Sequence, residues 1–321
     1  MKTWKPGASS NTLRKRATLL GNIRRFFEQR EILEVETPSI SQFPTLDLHL
    51  ESLSLTHGPN NLPSYLITSP EYHMKRLLAD NGESIYQICK AFRLDEAGLI
   101  HNPEFTIIEW YRVGWDQWQL MREIEELLGL VLETGDADRL SYQEVFKDLL
   151  GIDPISMVFD EFLNICSVKD LVVPEYLKNR DLSVDEWLNY LFGMLIEPRL
   201  GKTNPVFIYD YPASQANLAK IYPDNSDFSM RFELFYKGME LGNGFCELTD
   251  PGIQEDRFIN ENIRRKKSGK KELPIDHRLL SALRSGLPDC AGVALGFDRM
   301  VMLALGKNRI DEVTAFSWNR C

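Results

Sequence analysis

The sequence predicts an α+β fold built around an antiparallel sheet. Strand-like segments cluster along the chain and follow one another through hairpin-type connections, without the regular βαβ alternation of a parallel sheet. The chain has 321 residues, 43% of them hydrophobic, which is enough for a sizeable core. No internal repeat and no Pro/Gly/Ser-rich linker divides it. We therefore predict one domain over residues 1–321, with helices flanking the sheet.

The N-terminal elements follow from hydrophobic spacing. Apolar residues at helical intervals predict a helix from Thr12 to Arg30. A short strand is expected before Pro38, and alternating segments predict strands over 46–55 and 65–68. A second helix is expected to begin at Ser69-Pro70-Glu71, with the serine as its cap and the proline in its first position.

The next two segments form the clearest pair. Ser84–Arg93 and Glu104–Val113 alternate as strands, and the polar stretch Leu94–Pro103 joins them as a hairpin with a long loop. Connections of this length in compact domains are usually functional. Residues 134–180 show no clear pattern, so we expect irregular structure there. The remaining segments are predicted as helices over 117–132, 184–196, 254–269 and 297–305, and as strands over 206–209, 231–238 and 240–249.

Composition narrows the functional class. The formal net charge of −10 disfavours bulk electrostatic binding of nucleic acid. Five scattered cysteines without a CxxC pair argue against a disulfide framework or a zinc site. No apolar run approaches a membrane span and no signal-peptide pattern opens the chain. We expect a soluble, cytoplasmic protein with no membrane partner.

Several common catalytic and nucleotide-binding motifs are absent. Gly201-Lys202-Thr203 resembles the end of a P-loop, but Ile196 replaces its leading glycine. Gly242-Asn243-Gly244 begins like a dinucleotide fingerprint, but Glu247 replaces its last glycine. There is neither an HExxH zinc motif nor a GxSxG nucleophile elbow. Any nucleotide must therefore be bound in another way.

Three segments carry unusual chemistry, and each also has an ordinary structural interpretation. Arg93, His101 and Phe105 converge over one face of the predicted hairpin, offering an anion clamp beside a stacking surface; a surface hairpin with a solvated arginine is the alternative. Glycines in the segment 231–248 argue against a helix and for a hairpin that gathers three glutamates, which suits Mg²⁺. A solvated acidic face is the alternative there. Those glutamates are Glu233, Glu240 and Glu247.

The third segment, Gly292–Arg299, places glycines, a helix N-terminus and an arginine together, as an anion site requires. A core strand–helix junction with a surface arginine is equally compatible with this pattern.

In chain order the segments resemble the motifs of class II aminoacyl-tRNA synthetases. Phe26–Pro38 is similar to motif 1, Phe92–Phe105 to motif 2 and Gly292–Arg299 to motif 3. Gly242–Leu248 resembles the lysyl-type site.

The resemblance implies a class II synthetase-like catalytic domain, and motif 1 implies a homodimer. Lysyl-tRNA synthetases carry an N-terminal β-barrel that reads the anticodon, whereas motif 1 begins almost at once here. We therefore expect no anticodon-binding domain and no contact with a tRNA anticodon. Truncated paralogues of this shape resemble the bacterial elongation factor P–(R)-β-lysine ligase family. Further residues similar to that family are Ser69–Leu77, Glu109–Arg112, Tyr236–Gly238 and Pro288–Gly296.

The resemblance also implies roles for individual residues. As catalytic arginines, Arg93 binds the α-phosphate of ATP and the substrate carboxylate, while Arg299 binds the γ-phosphate. The remaining ATP-binding residues are Asp95, His101, Phe105 and Glu240, and the Mg²⁺ ligands are Glu233 and Glu240. The lysine-type substrate is bound by Glu71, Arg93, Glu109, Tyr111, Asn243, Glu247 and Ala294.

The implied activity is ATP-dependent formation of a (R)-β-lysyl adenylate and its transfer to a lysine of elongation factor P. The alternatives are a free-standing lysine-activating tRNA ligase and a non-catalytic amino-acid-binding regulatory paralogue. The sequence departs from the family at Arg93-Leu94-Asp95, where Arg-Asn-Glu is usual, and at Leu99 and Ile100, where a basic residue is common. Ala294 replaces a glycine of lysyl-tRNA synthetases, and its methyl group is expected to influence which lysine isomer fits.

Overall fold

The computed structural model describes residues 4–56, 58, 60, 62–94 and 97–321. The described helices, in chain order, are α1 Ser10–Glu28, α2 Glu71–Asn81, α3 Gln117–Leu132, α4 Tyr142–Leu150, α5 Phe159–Val168, α6 Val184–Leu191, α7 Pro251–Lys267, α8 His277–Gly286 and α9 Phe297–Ala304. The described strands are β1 Leu33–Glu34, β2 Ile40–Ser41, β3 Ser54–Leu55, β4 Ser64–Leu66, β5 Ile85–Phe92, β6 Glu104–Val113, β7 Asp138–Ser141, β8 Val206–Pro212, β9 Phe228–Tyr236, β10 Met239–Cys246 and β11 Cys290–Gly296.

The described residues form two compact units. The first unit comprises the chain up to Glu133 together with Glu247–Cys321, and the second unit comprises Thr134–Cys246. In the first unit, β5 and β6 pair antiparallel, β11 pairs antiparallel with the other edge of β6, and β1 adds to β5 in parallel. The predicted hairpin and the antiparallel character of the sheet are therefore confirmed.

Local sequence explains how the first unit is assembled. α1 begins after Ser9, whose hydroxyl accepts the Thr12 backbone N–H, as expected of an N-cap. On its buried face, Phe27 stacks on Tyr86 with ring centres 4.2 Å apart and meets Trp110 edge-on at 5.3 Å. These rings fix α1 against β5 and β6, the two strands that carry most of the predicted site.

Two predictions for the N-terminal region need correction. The leucines in 46–55 alternate, yet strand structure there is confined to Ser54–Leu55. Leu46 and Leu48 are buried without strand pairing, and the Leu48 backbone N–H donates instead to Glu261. Ser69 is not the N-cap of α2; Pro70 takes that position, while the Ser69 hydroxyl accepts the Glu71 backbone N–H at 3.1 Å.

In the second unit, β9 pairs antiparallel with β8 and β10, and β7 joins β8 in parallel. The expectation of irregular structure over 134–180 is wrong, because β7, α4 and α5 lie there. These elements are short, so few hydrophobic repeats are available to reveal their period. α4 nevertheless has a capping box in which Ser141 and Glu144 bond each other's backbone N–H.

Among the helices that the structure describes, none is both long and apolar enough to cross a membrane.

Candidate active site

A group of three carboxylates lies inside the first unit. Glu71 opens α2, Glu109 lies in the middle of β6, and Glu247 follows β10 and is attached to β11 by its backbone N–H, which donates to Cys290 O at 3.0 Å. Glu109 and Glu247 are almost fully buried, whereas Glu71 retains some exposure. The structure thus brings together three residues that the sequence predicts to bind the amino groups of the substrate.

Glu109 is held from both sides. The Tyr111 hydroxyl donates to one of its carboxylate oxygens and the Ser69 hydroxyl donates to the other, each at 2.6 Å. Tyr111 is two residues away on the same strand, so both side chains point to the same face of the sheet. The role of Ser69 was missed at the sequence level because its position suggested a helix cap.

Lys75 occupies the interior of the carboxylate group. Its Nζ lies 2.6 Å from Glu71 Oε1 and 2.5 Å from Glu247 Oε2, and its side chain is 2% exposed. The predicted site residues do not include Lys75. The sequence does contain a signal for half of this arrangement, since Glu71 and Lys75 are spaced i,i+4 on a predicted helix.

Burial dominates the ionisation of this group. Loss of solvation, reinforced by the charge of Glu71, raises the pKa of Glu109 to about 7. The same loss of solvation raises the pKa of Glu247 to about 8, although the Lys75 ammonium opposes the rise. Burial opposes the charged form of Lys75, but the carboxylates of Glu247 and Glu71 outweigh it and raise the pKa of Lys75 above its ordinary value, so Lys75 remains positively charged. The arrangement therefore offers buried negative charge to a cationic ligand.

The wall of this group is formed by β11. Gly292 lies opposite Tyr111 and Ala294 lies opposite Glu109 in the β6–β11 register. A Cβ at position 292 would lie 2.4 Å from the Tyr111 ring and 2.6 Å from Glu247 Oε1, so a side chain there cannot be accommodated. Ala294 lies two residues along the strand, so its methyl group is directed towards the same face of the sheet as Glu109.

The predicted phosphate- and adenine-binding residues meet around the β5–β6 connection. The Arg93 guanidinium lies over the Phe105 ring, 5.0 Å from its centre. His101 Nε2 lies 2.5 Å from an Nη of Arg299, and because arginine only donates, the imidazole nitrogen accepts. Arg93 thus contacts the start of β6, and Arg299 contacts the connection that leads into β6. Asp95, the remaining predicted adenine contact, lies outside the described residues.

The two predicted metal ligands lie on one face of the β9–β10 hairpin. Glu233 lies opposite Asn243 and Glu240 lies opposite Phe235, and a register shift between Glu240 and Gly242 lets Glu240 and Asn243 share a face three residues apart. Glu233 accepts hydrogen bonds from Arg231 at 2.5 Å and from the Tyr211 hydroxyl at 2.7 Å. Burial raises the pKa of Glu233; the Arg231 cation lowers it, and the charge of Glu240 raises it further.

This pair fits a magnesium ion coordinated largely by phosphate oxygens. Mg²⁺ in nucleotide sites commonly takes only one or two carboxylates from the protein, and two carboxylates that repel each other provide them. Among the described residues no group of three or more His, Cys, Asp or Glu side chains forms a self-sufficient metal site. On the same face, Asn243 Oδ1 is buried without a hydrogen-bond partner in the described part of the chain, which suits an acceptor for an ammonium group.

Comparisons with known proteins identify the family of the chain. The family model of class II tRNA synthetases (D, K and N) matches residues 3–320. An elongation factor P–(R)-β-lysine ligase of Vibrio cholerae is 48% identical over 324 residues, which cover 99% of this chain and 98% of that protein. Proteins with the same name from Klebsiella pneumoniae and Vibrio atlanticus are 47% and 46% identical, each over 99% of this chain and 98% and 99% of their own lengths. The chain therefore belongs to the class II tRNA synthetase family, among its elongation factor P–(R)-β-lysine ligases.

Proposed function

We propose that this protein uses ATP to activate (R)-β-lysine as an adenylate and transfers the lysyl group to a lysine side chain of elongation factor P. The observation that carries the proposal is the buried group of Glu71, Glu109 and Glu247. A diamino acid brings two ammonium groups, and their charge requires fixed, partly desolvated anions at the positions where they are bound. The names and the full-length similarity of the relatives support the choice of substrate and acceptor.

For substrate binding, we propose that Glu71 receives the amino group nearer the substrate carboxylate. Glu109, Tyr111 and Glu247 bind the distal ammonium group, and Asn243 steadies the substrate. The two hydrogen bonds that Glu109 accepts support this assignment, because they fix its carboxylate before any ligand arrives.

For ATP, we propose that Arg93 binds the α-phosphate together with the substrate carboxylate and that Arg299 binds the γ-phosphate. Phe105 stacks on adenine and His101 contacts it. The contacts of Arg93 with Phe105 and of Arg299 with His101 support this assignment. In the second unit, Glu240 with Glu233 binds Mg²⁺, which neutralises phosphate charge when bound.

The proposed chemistry needs no protein nucleophile. An oxygen of the substrate carboxylate attacks the α-phosphorus, the bond to the β-phosphate bridging oxygen breaks, and pyrophosphate leaves. The ε-amine of the acceptor lysine then attacks the acyl carbon, AMP leaves, and the nitrogen loses a proton as the amide forms. Positioning and charge neutralisation by the two arginines supply the catalysis.

We further propose that the chain works as a single catalytic domain in a cytoplasmic homodimer. The family model spans nearly the whole chain, which supports one catalytic domain. Leu33, in the segment similar to motif 1, and Ile40, just after it, are exposed apolar side chains suited to contact with a second copy.

The decisive experiment is ATP–pyrophosphate exchange with (R)-β-lysine and with α-lysine, followed by transfer to elongation factor P or to tRNA. We expect exchange with (R)-β-lysine far above that with α-lysine, and labelling of elongation factor P but not of tRNA. Equal exchange with α-lysine together with charging of tRNA would identify a free-standing tRNA ligase. Binding of lysine without exchange of any isomer would identify a regulatory paralogue.

A further inference from the structure

A buried lysine lies inside the carboxylate group without a role in the proposed reaction. Lys75 is one helical turn after Glu71 on α2, and its ammonium group bridges Glu71 and Glu247 at 2.6 and 2.5 Å. Its side chain is as buried as the core of the protein. An ammonium group in this position competes for the same carboxylates that the incoming diamino acid needs, so its presence requires a physical reason.

The charges around Lys75 come from several elements. α2 provides Glu71, β6 provides Glu109 and the Tyr111 hydroxyl, and the segment after β10 provides Glu247. The Cys89 thiol on β5 also interacts with the charge of Glu109. Its pKa is raised chiefly by burial and in addition by that charge. With all carboxyl groups ionised, three negative charges face one positive charge. The difference, two, equals the number of ammonium groups on a diamino acid.

We propose that Lys75 is a positioning residue for the diamino acid. Its ammonium group acts as an internal counter-ion that holds the carboxylates of Glu71 and Glu247 in place. It also keeps more of the three glutamates ionised before binding, so that fewer protons must be lost when the substrate binds. The inference rests on the proposed function and goes beyond it by assigning a role to a residue that does not touch the reacting atoms.

The direction of the effect follows from electrostatics. The Lys75 ammonium lowers the pKa of both Glu109 and Glu247 relative to what burial and mutual repulsion alone impose. Without it, both carboxyl groups hold their protons to higher pH. Because a substrate ammonium binds the ionised form, the affinity for the diamino acid then falls at neutral pH and recovers as the pH rises.

The test compares the wild-type protein with Lys75→Met, which keeps an unbranched side chain, one atom shorter, and removes its charge. At pH 7 we expect KM for (R)-β-lysine in the exchange reaction to rise about tenfold, the ratio that corresponds to a pKa shift of about one unit. The increase should shrink towards pH 9, and KM for ATP should stay close to the wild-type value. If Lys75 had a purely structural role, the rise in KM for (R)-β-lysine would be the same at every pH. That result would overturn the proposal.

Two further measurements keep the proposal testable if Lys75→Met is unstable. Lys75→Arg retains the charge, so KM for (R)-β-lysine should depend on pH as it does in the wild type. A shift of that pH dependence to higher pH in this variant would contradict the counter-ion role. Calorimetric titration with (R)-β-lysine in two buffers of different ionisation enthalpy counts released protons. We expect Lys75→Met to release about one more proton than the wild type near pH 7, and equal counts would refute the proposal.

These outcomes are separate from those of the proposed function. The calorimetric comparison requires only that the diamino acid binds. A wild-type protein that binds (R)-β-lysine without catalysing exchange would therefore contradict the ligase proposal and leave the role of Lys75 to be decided by proton release.

Discussion

The Arg16 guanidinium forms an ion pair with Asp298 Oδ1 at 2.5 Å, and Asp298 is the residue directly before Arg299. The second carboxylate oxygen of Asp298 accepts the Thr106 backbone N–H at 2.7 Å. One buried carboxylate thus joins three elements, namely α1, β6 and the first turn of α9. Because Asp298 precedes Arg299 in the first turn of α9, we expect Arg16 to support the proposed triphosphate clamp by holding this turn in place.

Replacing Asp298 by Asn should weaken that clamp. The change leaves the Arg16 charge buried without its partner, and breaking a buried pair costs about 3–5 kcal/mol. We expect a clear fall in the thermal unfolding midpoint and a rise in KM for ATP that exceeds the rise in KM for (R)-β-lysine. Thermal unfolding and exchange kinetics measure the two effects.

The matched control is Asp160→Asn, which breaks the exposed ion pair between Asp160 and Arg180. Solvent screens such a pair, so neither stability nor either KM should change measurably. If Asp298→Asn raised both KM values equally, or changed nothing, the junction would have no particular role in holding Arg299.

Ala294 is expected to determine isomer preference. It lies opposite Glu109 on β11, and Ala294→Gly removes one methyl group from that side of the sheet. A single carbon in a binding pocket is worth about 1–3 kcal/mol, or about tenfold or more in discrimination. The ratio of kcat/KM for (R)-β-lysine to that for α-lysine should therefore fall by about tenfold. Exchange assays with the two isomers give this ratio directly.

Ala291→Gly serves as the comparison. Ala291 is buried on the same strand but lies opposite Arg112, on the other face. Removal of the Ala291 methyl group should reduce the stability of the protein without altering the ratio of kcat/KM for the two lysine isomers. Equal changes of the ratio in the two variants would show that Ala294 acts only through the strand backbone.

Gly292 is required by the close approach of two site residues. Gly292→Ala places a Cβ at 2.4 Å from the Tyr111 ring and 2.6 Å from Glu247 Oε1. Relief of these contacts must displace the tyrosine or the carboxylate, because the backbone of β11 is held by its pairing with β6. We expect KM for (R)-β-lysine to rise by more than about tenfold, since a displacement of about 1 Å is costly in a preorganised site. Gly135→Ala, where a Cβ meets open space, should leave KM unchanged.

The parts of the fold that local chemistry dictates were predictable from the sequence. The bounds expected for β6 and α3 coincide with those observed, because β6 is rich in β-branched and aromatic residues and α3 begins at a capping box formed by Asp116 and Gln119. Arg93 and Phe105 were expected to converge, and they do, since they flank one hairpin. Their proposed roles remain predictions.

Contacts between residues distant in the chain were not predictable. Helical spacing pairs Lys75 with Glu71, but nothing in the sequence indicates that Glu247 meets the same ammonium group. The regular spacing of Glu233, Glu240 and Glu247 suggested a single group, whereas Glu247 joins Glu71 and Glu109. The ion pair between Arg16 and Asp298 was likewise not predictable, because it depends on how α1 packs against the start of α9.

Glu240 and Glu233 should differ in their effect on metal dependence. Glu233 already accepts hydrogen bonds from Arg231 and Tyr211, so Glu233→Gln disturbs this network and is expected to reduce stability as well as activity. Glu240→Gln leaves those hydrogen bonds in place, and we expect it to act mainly through Mg²⁺. Glu240→Ala should abolish adenylate formation in a protein that remains folded and keeps the oligomeric state of the wild type.

The measurement is pyrophosphate exchange over a range of Mg²⁺ concentrations, with thermal unfolding and sedimentation recorded for each variant. For Glu240→Gln we expect the half-saturating Mg²⁺ concentration to rise by about tenfold, as loss of about 1.4 kcal/mol of binding energy implies. Glu175→Gln, which removes an exposed carboxylate paired with Lys178, should keep the wild-type Mg²⁺ dependence. Exchange by Glu240→Ala at the wild-type rate and Mg²⁺ concentration would exclude Glu240 as a metal ligand.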